Sequence, residues 1–117
     1  GWRQAQRCGT CFEIFSRTAF NIFYDAGTLI VICAKPLGPF VSADCWLGAE
    51  NLMLAACSMG LGTCVIGSAL TALNIPEVKT QLGIAAEFLA VAPIIVGVPQ
   101  GATAATSRRE PRILSWM

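Results

Sequence analysis

The chain has 117 residues, of which 55% are hydrophobic and 13% are charged, and its formal net charge is +1. This length accommodates one domain, and the charge gives no electrostatic reason to expect nucleic acid as a partner. Because ~25% of the residues in an ordinary globular domain are charged, we expect a second copy of the chain to cover the surplus apolar surface.

Residues 1–24 differ in composition from the rest of the chain and are predicted to form an N-terminal arm. The segment contains Cys8-Gly-Thr-Cys11 in a polar context. This pair could be a redox pair or half of a zinc site, but the chain contains no histidine and no second CxxC to complete a metal site. The first residues are polar, so no secretory signal peptide is predicted.

The first regular element is predicted at residues 28–33. These residues are β-branched and aliphatic, and they lie between Gly27 and the breaker Lys35-Pro36. Such a run is typical of a strand that is buried on both faces.

A long helix is predicted from Ser42 to about Met59. Ser42 is the expected N-cap, Asp44 lies in the first turn where the helix dipole favours a negative charge, and Gly60 is the expected stop. Apolar residues occur around the whole helix, so we expect a central helix that is buried on nearly all sides, against a neighbouring subunit.

The segment from Phe40 to Leu61 is nearly long enough to span a bilayer. It carries Asp44 and Glu50, however, and a charge at bilayer depth costs at least ~2.5 kcal/mol. We therefore predict that the chain does not cross a membrane.

Three further elements are predicted: a short strand near residues 63–66, a helix from about Pro76 to Leu82 before Gly83, and a strand at about residues 89–98. Pro76 suits the first turn of a helix. Pro93 is unfavourable in a central strand, so we expect an edge position or a nearby bulge. The pattern predicts an α+β fold with a small mixed or antiparallel sheet.

Four of the six cysteines lie in apolar runs, where reduced cysteine behaves as a small buried hydrophobic residue. They are Cys33, Cys45, Cys57 and Cys64. This usage favours a cytoplasmic location.

The side chains show no arrangement that suggests catalysis. Without histidine there is no ordinary Ser-His or Cys-His nucleophile, and the carboxylates are scattered. If the chain supports an enzyme, we expect the chemistry to belong to a cofactor.

Several motifs in order resemble the C-terminal half of the nitroreductase family, the FMN-dependent homodimeric flavoproteins. The resemblance covers residues 25–117 and implies a truncated nitroreductase-like fold. Nothing in residues 1–19 resembles the family's N-terminal Arg/Ser motif for the FMN phosphate. The motifs are Asp25-Ala-Gly-Thr-Leu-Ile-Val-Ile-Cys-Ala34, Glu50-Asn-Leu-Met-Leu-Ala-Ala-Cys-Ser-Met-Gly-Leu-Gly-Thr-Cys-Val-Ile-Gly67, Leu89-Ala-Val-Ala-Pro-Ile-Ile-Val-Gly-Val-Pro99, Arg108-Arg-Glu-Pro-Arg112 and Leu114-Ser-Trp116.

The resemblance implies that Cys64, Val65, Ile66 and Gly67 lie against the flavin ring. The backbone N–H groups of Ile66 and Gly67 would reach flavin N5 and O4, and glycine would let the backbone approach a flat ring. The alternative is a turn that needs glycine only for its φ angle.

The resemblance also implies that Arg109 binds the FMN phosphate. Ser107 occupies the position of the family's lysine, and Arg108 would compensate, since guanidinium groups can bind two phosphate oxygens at once. The alternative is a solvated basic tail in which Glu110 pairs with an arginine.

Three functions remain open on the sequence alone. The first is an FMN-dependent oxidoreductase that passes hydride from NAD(P)H to nitroaromatic, quinone or flavin acceptors. The second is a non-catalytic flavin- or nucleotide-binding half-domain that forms a homodimer through the helix at residues 42–59 or is completed by a second polypeptide. The third is an inactive remnant of a nitroreductase.

Overall fold

The structure is a computed structural model that describes Phe23 and residues 26–117. The predicted N-terminal arm therefore lies outside the described residues except for Phe23. Cys8 and Cys11 belong to that part, so the redox and zinc hypotheses for them remain untested.

The predicted elements occur in the predicted order, with boundaries that move by at most one residue. All strand pairs are antiparallel, and the α+β class is confirmed. The elements are β1 (Thr28–Ala34), α1 (Val41–Ser58), β2 (Gly62–Val65), a 3₁₀ turn (Gly67–Ala69), α2 (Leu70–Leu73), α3 (Pro76–Gln81) and β3 (Leu89–Gly97).

The sheet forms the middle of three layers. Its strand order is β1-β3-β2, so β3 pairs with both other strands. On one face, α1 packs through Ala49 against Ala92 and Ile94. On the other face, the 3₁₀ turn and α2 pack through Ala69 and Leu73 against the sheet. The connection between β2 and β3 therefore lies on the face opposite α1.

The expectation that α1 is buried on nearly all sides is not confirmed. Its buried residues are Cys45, Ala49 and Ala56, whereas Leu47 and Leu54 are 67% and 60% exposed. The sheet covers only the side of α1 that faces it, and the described residues leave the opposite side uncovered. Within the described part of the chain, no helix is long and apolar enough to cross a bilayer.

The two ends of α1 differ from each other in how well the sequence predicts them. Phe40, not Ser42, is the N-cap, and it makes no side-chain cap hydrogen bond. The C-terminal end is as predicted: Gly60 has a φ of 75°. Its N–H donates to Cys57 O at 3.0 Å, and Leu61 N–H donates to Ala56 O at 2.9 Å. These bonds form a Schellman motif, which requires the left-handed residue that glycine supplies.

Pro93 lies in the middle of the central strand and is fully buried, so the expected edge position is wrong. The expected bulge is present, because the β1–β3 register shifts between Ile32 and Cys33 and leaves Val91 without a partner. The central strand accommodates the missing N–H because Ile66 C=O, on the residue opposite Pro93, accepts a hydrogen bond from Ala69 N–H instead.

Asn74 hydrogen-bonds the backbone of Ala90 near the beginning of β3, which the sequence did not predict. Its Nδ2 donates to Leu70 O and Ala90 O, each at 3.0 Å. Ala90 N–H donates to its Oδ1 at 2.9 Å. A single amide side chain therefore joins α2 to β3 and satisfies both backbone groups of a buried residue.

The cysteines differ in exposure more than the sequence predicted. Cys45 is buried and Cys33 and Cys64 are half-buried, but Cys57 is exposed, so the expected burial of Cys57 is wrong within the chain. It lies on the uncovered side of α1. Burial raises the pKa of the Cys64 thiol.

The pKa of the Cys33 thiol is also raised, first by burial and then by Cys45, while Lys79 opposes the shift. Of Cys57, Cys33 and Cys64, we expect a thiol reagent to modify Cys57 first in the monomeric chain at neutral pH, because Cys57 is exposed and burial limits both access and the thiolate fraction of the other two. The rates at which Cys33 and Cys64 are modified should rise only above the ordinary thiol pKa of about 8.5. Mass spectrometry of timed, quenched samples measures each rate, and equal rates for these three thiols would contradict the assignment.

Candidate functional site

The Cys64–Gly67 segment lies where β2 leaves the sheet. β2 ends at Val65, and Ile66 has φ −106° and ψ 70°, which turns the chain out of the extended conformation and into the 3₁₀ turn. Ile66 is 5% exposed, whereas Gly67 and Ser68 are exposed. The segment therefore passes from core to surface within two residues.

The two N–H groups expected to reach a ligand differ in availability. Ile66 N–H donates to Pro93 O at 2.9 Å, so it is already paired within the chain. Among the described residues, Gly67 N–H has no backbone acceptor. Of the two expected donors, Gly67 is the one whose N–H is available at the surface.

Gly67 is not required by the turn in which it lies. Its φ is outside the left-handed region, and a Cβ added to it would meet no described atom within 4 Å. Gly60 and Gly83 differ, because their φ values of 75° and 72° favour glycine. The alternative that Gly67 serves only the φ angle of a turn is therefore wrong.

The side chains of Cys64 and Val65 belong to the core. Cys64 packs with the cluster that contains Ile95, and Val65 packs with the cluster on the α1 face that contains Ile94. What this segment can offer to a ligand comes from its backbone, at Gly67.

The predicted phosphate-binding residues lie in an exposed, irregular segment. Ser107, Arg108 and Arg109 are all exposed. Within residues 26–117 the one ion pair joins Lys35 and Glu87 at 4.0 Å, so Glu110 pairs with no arginine there. No hydrogen bond or ion pair among the described residues joins this segment to Gly67, so the predicted site in two parts remains a prediction.

A cavity of about 350 Å³ lies elsewhere, between the β1–α1 connection and the start of β3. Trp46 and Asn74 line it, and none of the predicted site residues does. The Asn74 amide is already hydrogen-bonded to backbone. In the described part of the chain, no group of three or more His, Cys, Asp or Glu residues could hold a metal ion.

The model of the nitroreductase family matches residues 4–98. The chain belongs to the nitroreductase family. The match includes Cys64–Gly67 and ends before Ser107. The match also begins inside residues 1–24, the segment that was expected to be unlike the family. Comparison with curated protein sequences gives no match.

Solved nitroreductase structures share the fold. An FMN-bound nitroreductase from Bacteroides fragilis is 24% identical with a TM-score of 0.78, and the match covers 91% of this chain and 59% of that one. An FMN-dependent nitroreductase from Clostridium difficile is 20% identical with a TM-score of 0.66, over 83% and 62% of the two chains. An FMN-bound nitroreductase from Desulfitobacterium hafniense is 22% identical with a TM-score of 0.63, over 75% and 50%.

The chain thus spans about three fifths of the length of the first two solved nitroreductases. At these identities the likeness concerns the fold. The antiparallel sheet with helices on both faces is accordingly a nitroreductase-like fold, and the recognition of the family from its motifs is confirmed.

Proposed function

We propose that this nitroreductase-family chain is part of an FMN-dependent oxidoreductase that takes electrons from NAD(P)H and reduces nitroaromatic, quinone or flavin acceptors. The observation that carries the proposal is Gly67: an exposed glycine with an available N–H that neither its φ angle nor its surroundings require. A glycine at a position where neither φ nor packing requires one suits the close approach of a flat ligand.

The residues around Gly67 suit a fixed donor. The hydrogen bond from Ile66 N–H to Pro93 O holds the preceding residue to the central strand, and Ala69, which follows in the turn, is 1% exposed. A donor whose position is fixed on both sides loses little conformational entropy when it binds. When bound, FMN supplies reversible hydride transfer, and Gly67 N–H would hold the reactive edge of its ring.

The FMN phosphate is proposed to bind Arg109 with the help of Arg108, where Ser107 replaces the family's lysine. Both arginines are exposed, and among the described residues neither is in an ion pair. Their guanidinium groups therefore have free donors for phosphate oxygens.

Replacing Arg109 by Ala should weaken FMN binding about tenfold to hundredfold, because a charge-assisted hydrogen bond contributes roughly 1.5–3 kcal/mol. Arg112→Ala is the matched control, since Arg112 is an exposed arginine of the same segment. Fluorescence titration at two salt concentrations measures both variants, and the affinity of the unmodified chain should fall as salt rises. Equal losses for Arg109→Ala and Arg112→Ala would contradict a specific phosphate contact.

We also propose a homodimer through the uncovered side of α1. Leu47 and Leu54 are 67% and 60% exposed there, and Met59, the C-cap of α1, is 74% exposed. Apolar area buried between two copies contributes ~25 cal/mol per Å². Ala56 is a poor probe of this contact because it is already buried within its own chain.

Leu54→Glu should therefore dissociate the dimer, since the contact would bury an unpaired charge. Sedimentation equilibrium measures the mass. Leu82→Glu is the control, because Leu82 is 51% exposed but lies outside α1. An unmodified chain that sediments as a monomer, or a dimer that persists in Leu54→Glu, would show that this side of α1 is not the interface.

The uncovered side of α1 favours a second candidate function. Because Leu47 and Leu54 are exposed there and offer a surface for a partner, the alternative is a non-catalytic flavin-binding half-domain that a second polypeptide completes. FMN titration followed by NAD(P)H oxidation separates the candidates: binding with turnover supports the oxidoreductase, and binding without turnover supports the half-domain. Failure to bind FMN at millimolar concentration would leave the inactive remnant. A cytoplasmic location remains a prediction.

A further inference from the structure

Pro93 lies directly opposite the start of the Gly67 turn. The β2–β3 register pairs Cys64 with Ile95 and Val65 with Ile94, so its next pair is Ile66 with Pro93. One bond of that pair is made, from Ile66 N–H to Pro93 O at 2.9 Å. A residue of an antiparallel ladder directs its N–H and C=O to the same neighbour, so the backbone nitrogen of Pro93 also faces Ile66.

The reciprocal bond is missing because proline has no N–H. Ile66 C=O is therefore not used by the ladder, and it accepts a hydrogen bond from Ala69 N–H at 3.0 Å. That bond closes the 3₁₀ turn that contains Gly67. With a ψ of 70° at Ile66, the Ile66–Gly67 peptide is rotated away from the strand.

We infer that Pro93 is the positioning residue for Gly67 N–H: by withholding one donor, it ends β2 at Val65 and turns the Ile66–Gly67 peptide out of the sheet. This inference rests on the proposed function, in which Gly67 N–H meets the flavin. It explains why a proline lies at a fully buried position of the central strand, where a ladder residue would normally donate.

The simpler alternative is that the Pro93 ring only fills space in the core. The two accounts differ in what a new N–H at position 93 would do. If the missing donor matters, Pro93→Ala supplies an N–H that faces Ile66 C=O and competes with Ala69 N–H for it. If only packing matters, Pro93→Ala removes ring atoms and leaves the turn as it is.

The test uses Pro93→Ala and a second variant in which lactic acid replaces residue 93. Lactic acid has the methyl side chain of alanine, but an ester oxygen stands in place of the N–H. In Pro93→Ala we expect Ala69 N–H to exchange with solvent faster, because it loses its acceptor, and this can be measured without FMN. With FMN, affinity should fall about tenfold, equivalent to about 1.4 kcal/mol, and the flavin absorption band and midpoint potential should shift. The lactic acid variant should retain the exchange rate, spectrum and potential of the unmodified chain.

Each outcome decides the matter. If Pro93→Ala does not fold and the lactic acid variant does, the added N–H is what the position cannot accept, which supports the inference. If the two variants behave alike, whether folded or unfolded, the ring supplies packing only and the inference is wrong. If the unmodified chain fails to bind FMN, the proposed function is wrong, while Ala69 exchange still shows whether Pro93 shapes the turn.

Discussion

Replacing Gly67 by Val should weaken FMN binding by at least about a hundredfold, equivalent to about 2.7 kcal/mol, while leaving the fold intact. The β-branched side chain would occupy the space that the flavin ring needs beside the Gly67 N–H. The fold should tolerate it because a Cβ at Gly67 meets no described atom within 4 Å and φ is not left-handed. Fluorescence titration with FMN measures the loss, and urea unfolding measures the stability.

The matched control for this experiment is Gly27→Val. Gly27 is also exposed, also lacks a left-handed φ and also has open space around a Cβ. It precedes β1, whose first residue pairs with Val96 near the end of β3, whereas Gly67 follows Ile66, which is hydrogen-bonded to Pro93 in the middle of β3. Gly27→Val should bind FMN like the unmodified chain. Full FMN binding by Gly67→Val would contradict the placement of the ring and remove the observation on which the proposed function depends.

Replacing Asn74 by Leu should lower the free energy of unfolding by about 2–6 kcal/mol. The new side chain has a similar size but cannot hydrogen-bond, so Ala90 N–H and C=O lose their partner at a residue that is 5% exposed. Each unsatisfied buried group costs about 1–3 kcal/mol. Small domains have only about 5–15 kcal/mol of stability in total, so the loss would be a large fraction.

Asn51→Leu is the control for that experiment, because Asn51 is exposed on α1 and surface substitutions usually change stability by less than about 0.5 kcal/mol. Chemical denaturation followed by circular dichroism measures both variants. A change below about 1 kcal/mol in Asn74→Leu would mean that water replaces the amide and that Asn74 does not hold α2 to β3.

The sequence predicts local elements of this fold well because their signals are local. Pro76 and Gly83 mark the start and end of α3, and Gly60 marks the end of α1, since their backbone preferences do not depend on distant residues. The burial of α1 is different: an all-round apolar pattern predicts that the helix is covered on all sides, but it does not show which chain supplies the cover. Among the described residues, the sheet covers one side only.

Long-range pairing explains what the sequence misses in the candidate site. Pro93 was expected at an edge or near a bulge because proline cannot donate to a ladder. The bulge is present, but only the register of Pro93 opposite Ile66 shows how a central strand accommodates it. The Asn74 bonds to Ala90 join residues that are 16 positions apart, and no local pattern marks them. Likewise, Gly67 N–H is the available one of the two expected donors because Ile66 N–H is hydrogen-bonded to the distant Pro93 O.

The position of β3 in the sheet has a consequence for synthesis on the ribosome. Among the described residues, β3 is the last strand along the chain and the central strand of the sheet, and β1 and β2 pair with no other strand there. Until Leu89–Gly97 leaves the exit tunnel, β1 and β2 have no strand partner within this sheet. The nascent chain should therefore carry an unpaired, aliphatic β1 until β3 has emerged, which makes it a substrate for chaperones that bind extended apolar segments.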